Sequence, residues 1–382
     1  MTLPVTPKKI DWRAYRSVFA LIGVMIVLSI LTQGTFLTPR NLTNLTRQVA
    51  INGILAVGMT YVILIGGIDL SVGSVVALSG VVAGLVQVNL GLAQWVGPQM
   101  WVGAALSVLA AIVVGLFCGV FNAFLITRYR IAPFIITLGL MVIARGLALI
   151  VAKGAAIAPL GEAFNWLGQE YLSQAVTVSL LVFTALAFSI SLFKFVKRCG
   201  FGLQTVARTV AVFLALGIAF YTFQGYRGLP IPVLLFAVAG FIGFVILEKT
   251  RLGRFVLAMG GNAEAAWLSG VPIRKITFGI YVVMGALAGL SGAVLSARLN
   301  GALPTAGELF ELDAIAAVVI GGTSLLGGVG TVQGSILGAF FIGSLNNGMS
   351  LMDVSEFYQK VIKGVIIILA VWFDKRQSTQ KN

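Results

Sequence analysis

Residues 54–88 read ILAVGMTYVILIGGIDLSVGSVVALSGVVAGLVQV. Two apolar runs flank a centre, GGIDLSVGS at Gly66–Ser74, that carries the only charge of the stretch. Backbone groups inside hydrocarbon find no water, so runs this apolar must satisfy themselves as helices. The Gly66–Gly67 pair favours unwinding, because glycine costs about 1 kcal/mol relative to alanine inside a helix. Asp69 suits a helix N-cap, and Ser71 and Ser74 suit the start of a new helix. The stretch therefore reads as helix, break, helix. Broken backbone at membrane depth faces protein or water. Asp69 is then either an N-cap near the inner interface or a group lining a polar pathway.

The rest of the chain has the same character. Of 382 residues 59% are hydrophobic and 10% charged, with a mean hydropathy of +1.02. A soluble domain cannot cover that much apolar surface. Barrel-type alternation is missing, so the fold class is all-α and polytopic. Twelve apolar segments stand near 18–32, 49–66, 72–90, 101–126, 134–152, 175–194, 209–223, 229–247, 276–297, 313–328, 332–350 and 358–373. The first follows a basic start like that of a signal peptide, but no small-residue cleavage pattern comes after it, so it reads as a retained helix. About 10–12 spans are expected, in a single transmembrane domain, 18–373, between tails 1–17 and 374–382.

The net charge of +14 is scattered through short loops and offers no basic face to a nucleic acid. Threaded alternately with the N-terminus inside, the segments place 18 of the 26 Lys and Arg on the inner side. The opposite orientation would break the positive-inside rule, so both termini are expected in the cytoplasm. The longest inner loop, 248–275, contains NAEAAWLSGV (262–271), a short helical stretch closed by Gly270 and Pro272. Small residues there suit docking into a partner's groove; the alternative is a helix lying on the inner leaflet.

IGGTSLLGGV (320–329) resembles IGGIDLSVGS (65–74), with Gly321 and Gly322 matching Gly66 and Gly67 and with Thr323 and Ser324 following. Both copies end a span running from outside to inside. Glycines four apart, at Gly80–Gly84, Gly115–Gly119, Gly285–Gly289, Gly330–Gly334 and Gly334–Gly338, make grooves in which backbones approach closely. Arg145 lies mid-segment, where snorkelling is difficult. It holds an ion pair or carbonyls, or meets a solute. There is no histidine, no phosphate-gripping loop, no nucleophile elbow and no metal-ligand spacing. No catalytic or metal site is expected.

Together GMTYVILIGGIDLSVGS (58–74), GGNAEAAWLSGV (260–271) and LDAIAAVVIGGTSLLGGVGTVQG (312–334) resemble the permease subunits of bacterial ABC sugar importers, the ribose/xylose/galactose class. The resemblance spans about residues 45–373. The tail SLNNGMSLMDVSEFYQKVIKGVIIILAVWFD (344–374) and the segments around 195–228 most resemble the D-xylose type. This implies a multi-pass protein of the bacterial inner membrane, working as a pair with a second copy. A separate cytoplasmic ATPase subunit would bind the ATP, so the chain itself needs no cofactor. A periplasmic sugar-binding protein would deliver the sugar. It also implies that Asn262, Glu264, Ala265, Ala266, Ser269 and Gly270 form the segment coupling the permease to that ATPase. A secondary transporter using Asp69 as a proton or ion site is the rival.

Overall fold

In the computed structural model, which describes residues 16–199 and 203–379, the apolar runs become helices and no strand forms among the described residues. The first five are α1 (Arg16–Leu31), α2 (Pro39–Leu64), α3 (Val72–Asn89), α4 (Gln99–Tyr129) and α5 (Pro133–Val151). A short α6 (Glu162–Gln169) precedes α7 (Gln174–Cys199), α8 (Leu203–Gln224) and α9 (Ile231–Lys249). Next come α10 (Arg251–Gly261), α11 (Ala263–Leu268) and α12 (Ile273–Leu299). The chain closes with α13 (Phe310–Ile320), α14 (Val332–Leu351) and α15 (Glu356–Thr379).

Among the described residues, seven helices are long and apolar enough to cross a membrane: α2, α3, α4, α5, the first 20 residues of α7, α9 and α12. Shorter apolar helices occupy Ser17–Leu31 and Thr209–Gln224. At ~1.5 Å per residue, the 11 residues of α13 reach only about half of a ~30 Å hydrocarbon core. The expected segment 313–328 is therefore corrected. Its helix stops at Ile320, because the Gly321–Gly322 pair breaks it. At the ends, most of tail 1–17 lies outside the described residues, whereas α15 continues past position 373 to Thr379.

Glycine spacing decides the centre of the packing. Gly115 and Gly119 of α4 face Gly285 and Gly289 of α12, and a Cβ on any of the four would strike backbone of the other helix. Gly80 of α3 abuts Gly292 and Ser296 of α12 in the same way. On α14, Gly334 and Gly338 lie against Gly321 and Ala317 at the end of α13. Small residues thus let backbones meet where the lipid supplies no hydrophobic drive for association. Gly330 departs from the expected pattern, since it precedes α14 and packs on the Thr323 side chain. The large apolar side chains of α5 and α7 point outward instead, as a lipid-facing surface requires.

Candidate translocation and coupling site

The two glycine pairs build the same turn. At the end of α2, Gly66 N–H donates to Ile63 O at 2.8 Å and Gly67 N–H to Val62 O at 2.9 Å, with Gly66 at φ +75°. At the end of α13, Gly322 N–H donates to Val319 O at 2.9 Å and Thr323 N–H to Val318 O at 3.1 Å, with Gly322 at φ +92°. Both are Schellman closures, which require a left-handed residue and so favour glycine. The match is one residue out of step with the sequence alignment: Gly66 corresponds in conformation to Gly322, not Gly321.

The two turns meet. Gly328 N–H donates to Leu64 O at 2.9 Å, so the second break is hydrogen-bonded to the end of α2. Gly260 of α10 rests on both, and a Cβ there would strike Leu64 O and Gly328 N. Directly after it, the Asn262 side chain caps α11 by accepting from Ala265 N–H at 2.9 Å. Ser269 Oγ donates to Ala265 O at 2.8 Å. Gly270, at φ +82°, closes the other end, with Val271 N–H on Ala266 O at 3.0 Å. Glu264, Ala265, Trp267 and Leu268 are exposed, but Ala266 is buried against the body of the protein. Of the six residues expected to couple, Ala266 therefore faces inward and supports the helix.

Asp69 is not the residue that opens α3; Ser71 is. Asp69 Oδ1 accepts from Ser71 N–H at 2.9 Å and from Ser71 Oγ–H at 2.6 Å, which fixes the turn ahead of the helix. Asn122 of α4 donates to Ser71 Oγ at 3.1 Å, and Thr137 of α5 donates to Ile68 O at 3.3 Å. Ser74 is buried in the first turn of α3. Nearby, the Tyr281 hydroxyl and Asn122 Oδ1 are buried without partners. Asn122 stands seven residues from the end of α4 and Tyr281 eight residues into α12. By helix rise, the site lies roughly 10 Å inward from those ends.

Arg145 settles on carbonyls. Its Nη1 donates to Pro304 O at 2.7 Å and to Ala306 O at 2.8 Å, clamping the loop between α12 and α13. At that loop, Lys360 lies 2.8 Å from Glu308 and holds its carboxyl below the usual carboxylate range.

A second polar cluster was not singled out from the sequence. Asp313 Oδ2, buried in α13, accepts from Lys363 of α15 at 3.1 Å, Asn346 of α14 at 3.2 Å and Asn52 of α2 at 3.4 Å. Asn52 Oδ1 and Asn346 Oδ1 are left buried and without donors. Among the described residues no group of three or more His, Cys, Asp or Glu is placed to hold a metal ion.

The sequence of this arrangement has known counterparts. Residues 41–371 match the family model described as branched-chain amino acid transport system / permease component. The chain belongs to this permease family. Similar members include the xylose transport system permease protein of Escherichia coli strain K12, 39% identical over 97% of this chain and 94% of that protein. The xylose transport system permease protein of Haemophilus influenzae is 38% identical, over 96% and 97%. The ribose import permease protein of Bacillus subtilis is 39% identical, over 93% and 90%. No solved structure matches the chain. In this permease, the two breaks and α11 lie at one end of α2. The Asp313 cluster meets that helix near its midpoint, at Asn52. The signal for the cluster was present in the sequence, as polar residues at 52, 313, 346 and 363 inside apolar segments. Only the fold shows that they meet.

Proposed function

We propose that this chain is the membrane-spanning subunit of an ATP-driven importer for a monosaccharide, D-xylose in the first instance. Two copies pair in the bacterial inner membrane, with both termini and α11 in the cytoplasm. A periplasmic binding protein delivers the sugar, and a cytoplasmic ATPase subunit engages α11. ATP binding draws the two α11 helices together and switches the side to which the pathway opens. The similarity to xylose transport permeases supports the cargo.

The observation that carries the mechanism is the junction under α11. Gly260 bears on Leu64 and Gly328 together, so a push on α11 reaches both helix breaks through direct backbone contact. The exposed Ala265 and Trp267 present the outward face for the partner. Ala265→Arg tests this by placing a bulky charge on that face without disturbing the buried one. The variant is expected at normal membrane levels, without co-purifying ATPase and without xylose uptake. Normal uptake with a full complement of ATPase would remove α11 from the mechanism. Uptake that survives ATP depletion but collapses with the ion gradient would favour an ion-coupled carrier. Ribose in place of xylose as the preferred cargo would correct the substrate alone.

A further inference from the structure

Along α2, Arg40, Asn44, Gln48 and Asn52 recur every four residues. That spacing keeps them on one slowly drifting face of the helix. The side chains of Arg40, Asn44 and Gln48 have no hydrogen-bond or ion-pair partner among the described residues. Asn52 spends its amide N–H on Asp313 and leaves its oxygen buried and unpaired. Arg40 and Asn44 are exposed and Gln48 is half-buried, so the stripe leads from an open end of α2 to the buried, unpaired oxygen of Asn52, a polar course that apolar packing does not require.

The stripe lines two separate cavities in turn. The upper, about 480 Å³, is lined by Arg40, Asn44, Arg47, Tyr171 and Tyr226 among others, at the end of α2 away from α10 and α11. Small-molecule sites fall within about 300–1,000 Å³. The lower, about 30 Å³, is lined by Gln48, Asn52, Asp313 and Asn346 among others. A water or one hydroxyl needs ~10–15 Å³ of such space.

The chemistry favours a polyol over an anion. Arg47 is already engaged, donating to Tyr171 Oη and Gly168 O at 2.9 Å each. Arg227 lies over the Tyr171 and Tyr226 rings, 5.9 and 5.7 Å from their centroids. Arg40 is the guanidinium of the upper cavity left free, beside amides that accept as well as donate. The two orphaned oxygens below, of Asn52 and Asn346, only accept. An anion needs donors alone, whereas a sugar hydroxyl offers one proton and takes another.

We propose that this stripe is the lane along which the chain holds the hydroxyls of a monosaccharide, passing from the upper cavity toward Asp313. This rests on the sugar-transport reading above. The test uses the permease–ATPase complex in proteoliposomes, with Cys118→Ala and Cys199→Ala and with either Asn44→Cys or Gln48→Cys. A small hydrophilic thiol reagent should modify both introduced thiols. Free D-xylose should slow both reactions about tenfold at about nine times its Kd, while betaine at equal osmolarity should not. If xylose leaves both rates unchanged while the unmodified complex still takes up xylose, the lane is wrong and the transport reading stands. The lane is equally wrong if the Gln48→Cys variant never reacts. It is wrong too if sugar-free binding protein shields the Asn44→Cys variant where free sugar does not, which would make the upper cavity a docking face. Failure of the unmodified complex to take up any sugar sinks the transport reading instead, and the lane with it.

Discussion

The two helix breaks begin alike and then diverge. Each ends its helix with a glycine in the left-handed region, at Gly66 and Gly322, and each has a second glycine whose missing Cβ makes room for a neighbour. The order is reversed: Gly67, second of its pair, faces the Tyr281 hydroxyl, whereas Gly321, first of its pair, faces Gly334. Beyond the turn, the first break is held by side chains, with Asp69 on Ser71, Asn122 on Ser71 and Thr137 on Ile68. The second is held by backbone, with Ser324 N–H on Val329 O at 2.9 Å and Gly328 N–H on Leu64 O. Its Thr323 hydroxyl is buried and unpaired. Two glycines therefore specify that a helix stops. The course of the chain past that stop is set by whichever groups surround the freed backbone.

The strongest way to break this comparison is at the point where the two breaks touch. Gly260→Ala sets a methyl group against Leu64 O and Gly328 N, neither of which can swing aside as a side chain could. Overpacking of this kind costs ~1–3 kcal/mol. If the junction transmits motion, xylose uptake per molecule should fall about 10-fold to 100-fold, read in proteoliposomes. Unchanged uptake would show that the breaks work independently of α10.

The first break alone is tested by Asp69. Asp69→Asn keeps an oxygen for Ser71 N–H, whereas Asp69→Leu leaves that donor buried and unpaired, at a cost of ~1–3 kcal/mol. The Leu variant should melt earlier and accumulate less, with the Asn variant close to the parent, by fluorescence-detected size exclusion after heating. An Asn variant that is stable but inert in transport would instead assign the charge to the pathway.

The smallest effect should come from the Thr323 hydroxyl, and Ser71 supplies the contrast. Ser71→Ala removes hydrogen bonds to Asp69 and Asn122, each worth ~1 kcal/mol. Thr323→Val removes a hydroxyl that has no partner, so the melting temperature should stay level or rise slightly. Equal losses at the two sites would mean that the second break also depends on side chains.

Much of this was legible in the sequence. Apolar runs and Gly66–Gly67 gave the helices and the first break, because local backbone physics decides both. The spacing of Gly115, Gly119, Gly285 and Gly289 announced close packing, although not which helices would meet. Asn262 and Gly270 bounded α11 by ordinary capping preferences. The inward turn of Ala266 was hidden, since a six-residue helix has no periodicity long enough to reveal its buried side. The Asp313 cluster was hidden for another reason. Asn52, Asn346 and Lys363 belong to three other helices, and only tertiary packing brings them to one carboxylate. Arg145 fell between, visible as an expensive group whose carbonyl partners lie 159 and 161 residues away.

The glycine seam between α4 and α12 has a mechanical consequence. Side-chain interfaces can slip, because rotamers trade places as one helix slides past another. Main chain lying on main chain has no rotamers to trade, and a shift along the seam meets carbonyls at once. The two helices therefore move as a single plank. Whatever shape change accompanies a working cycle must be taken up elsewhere, by the short α13, its loop and the helices around them.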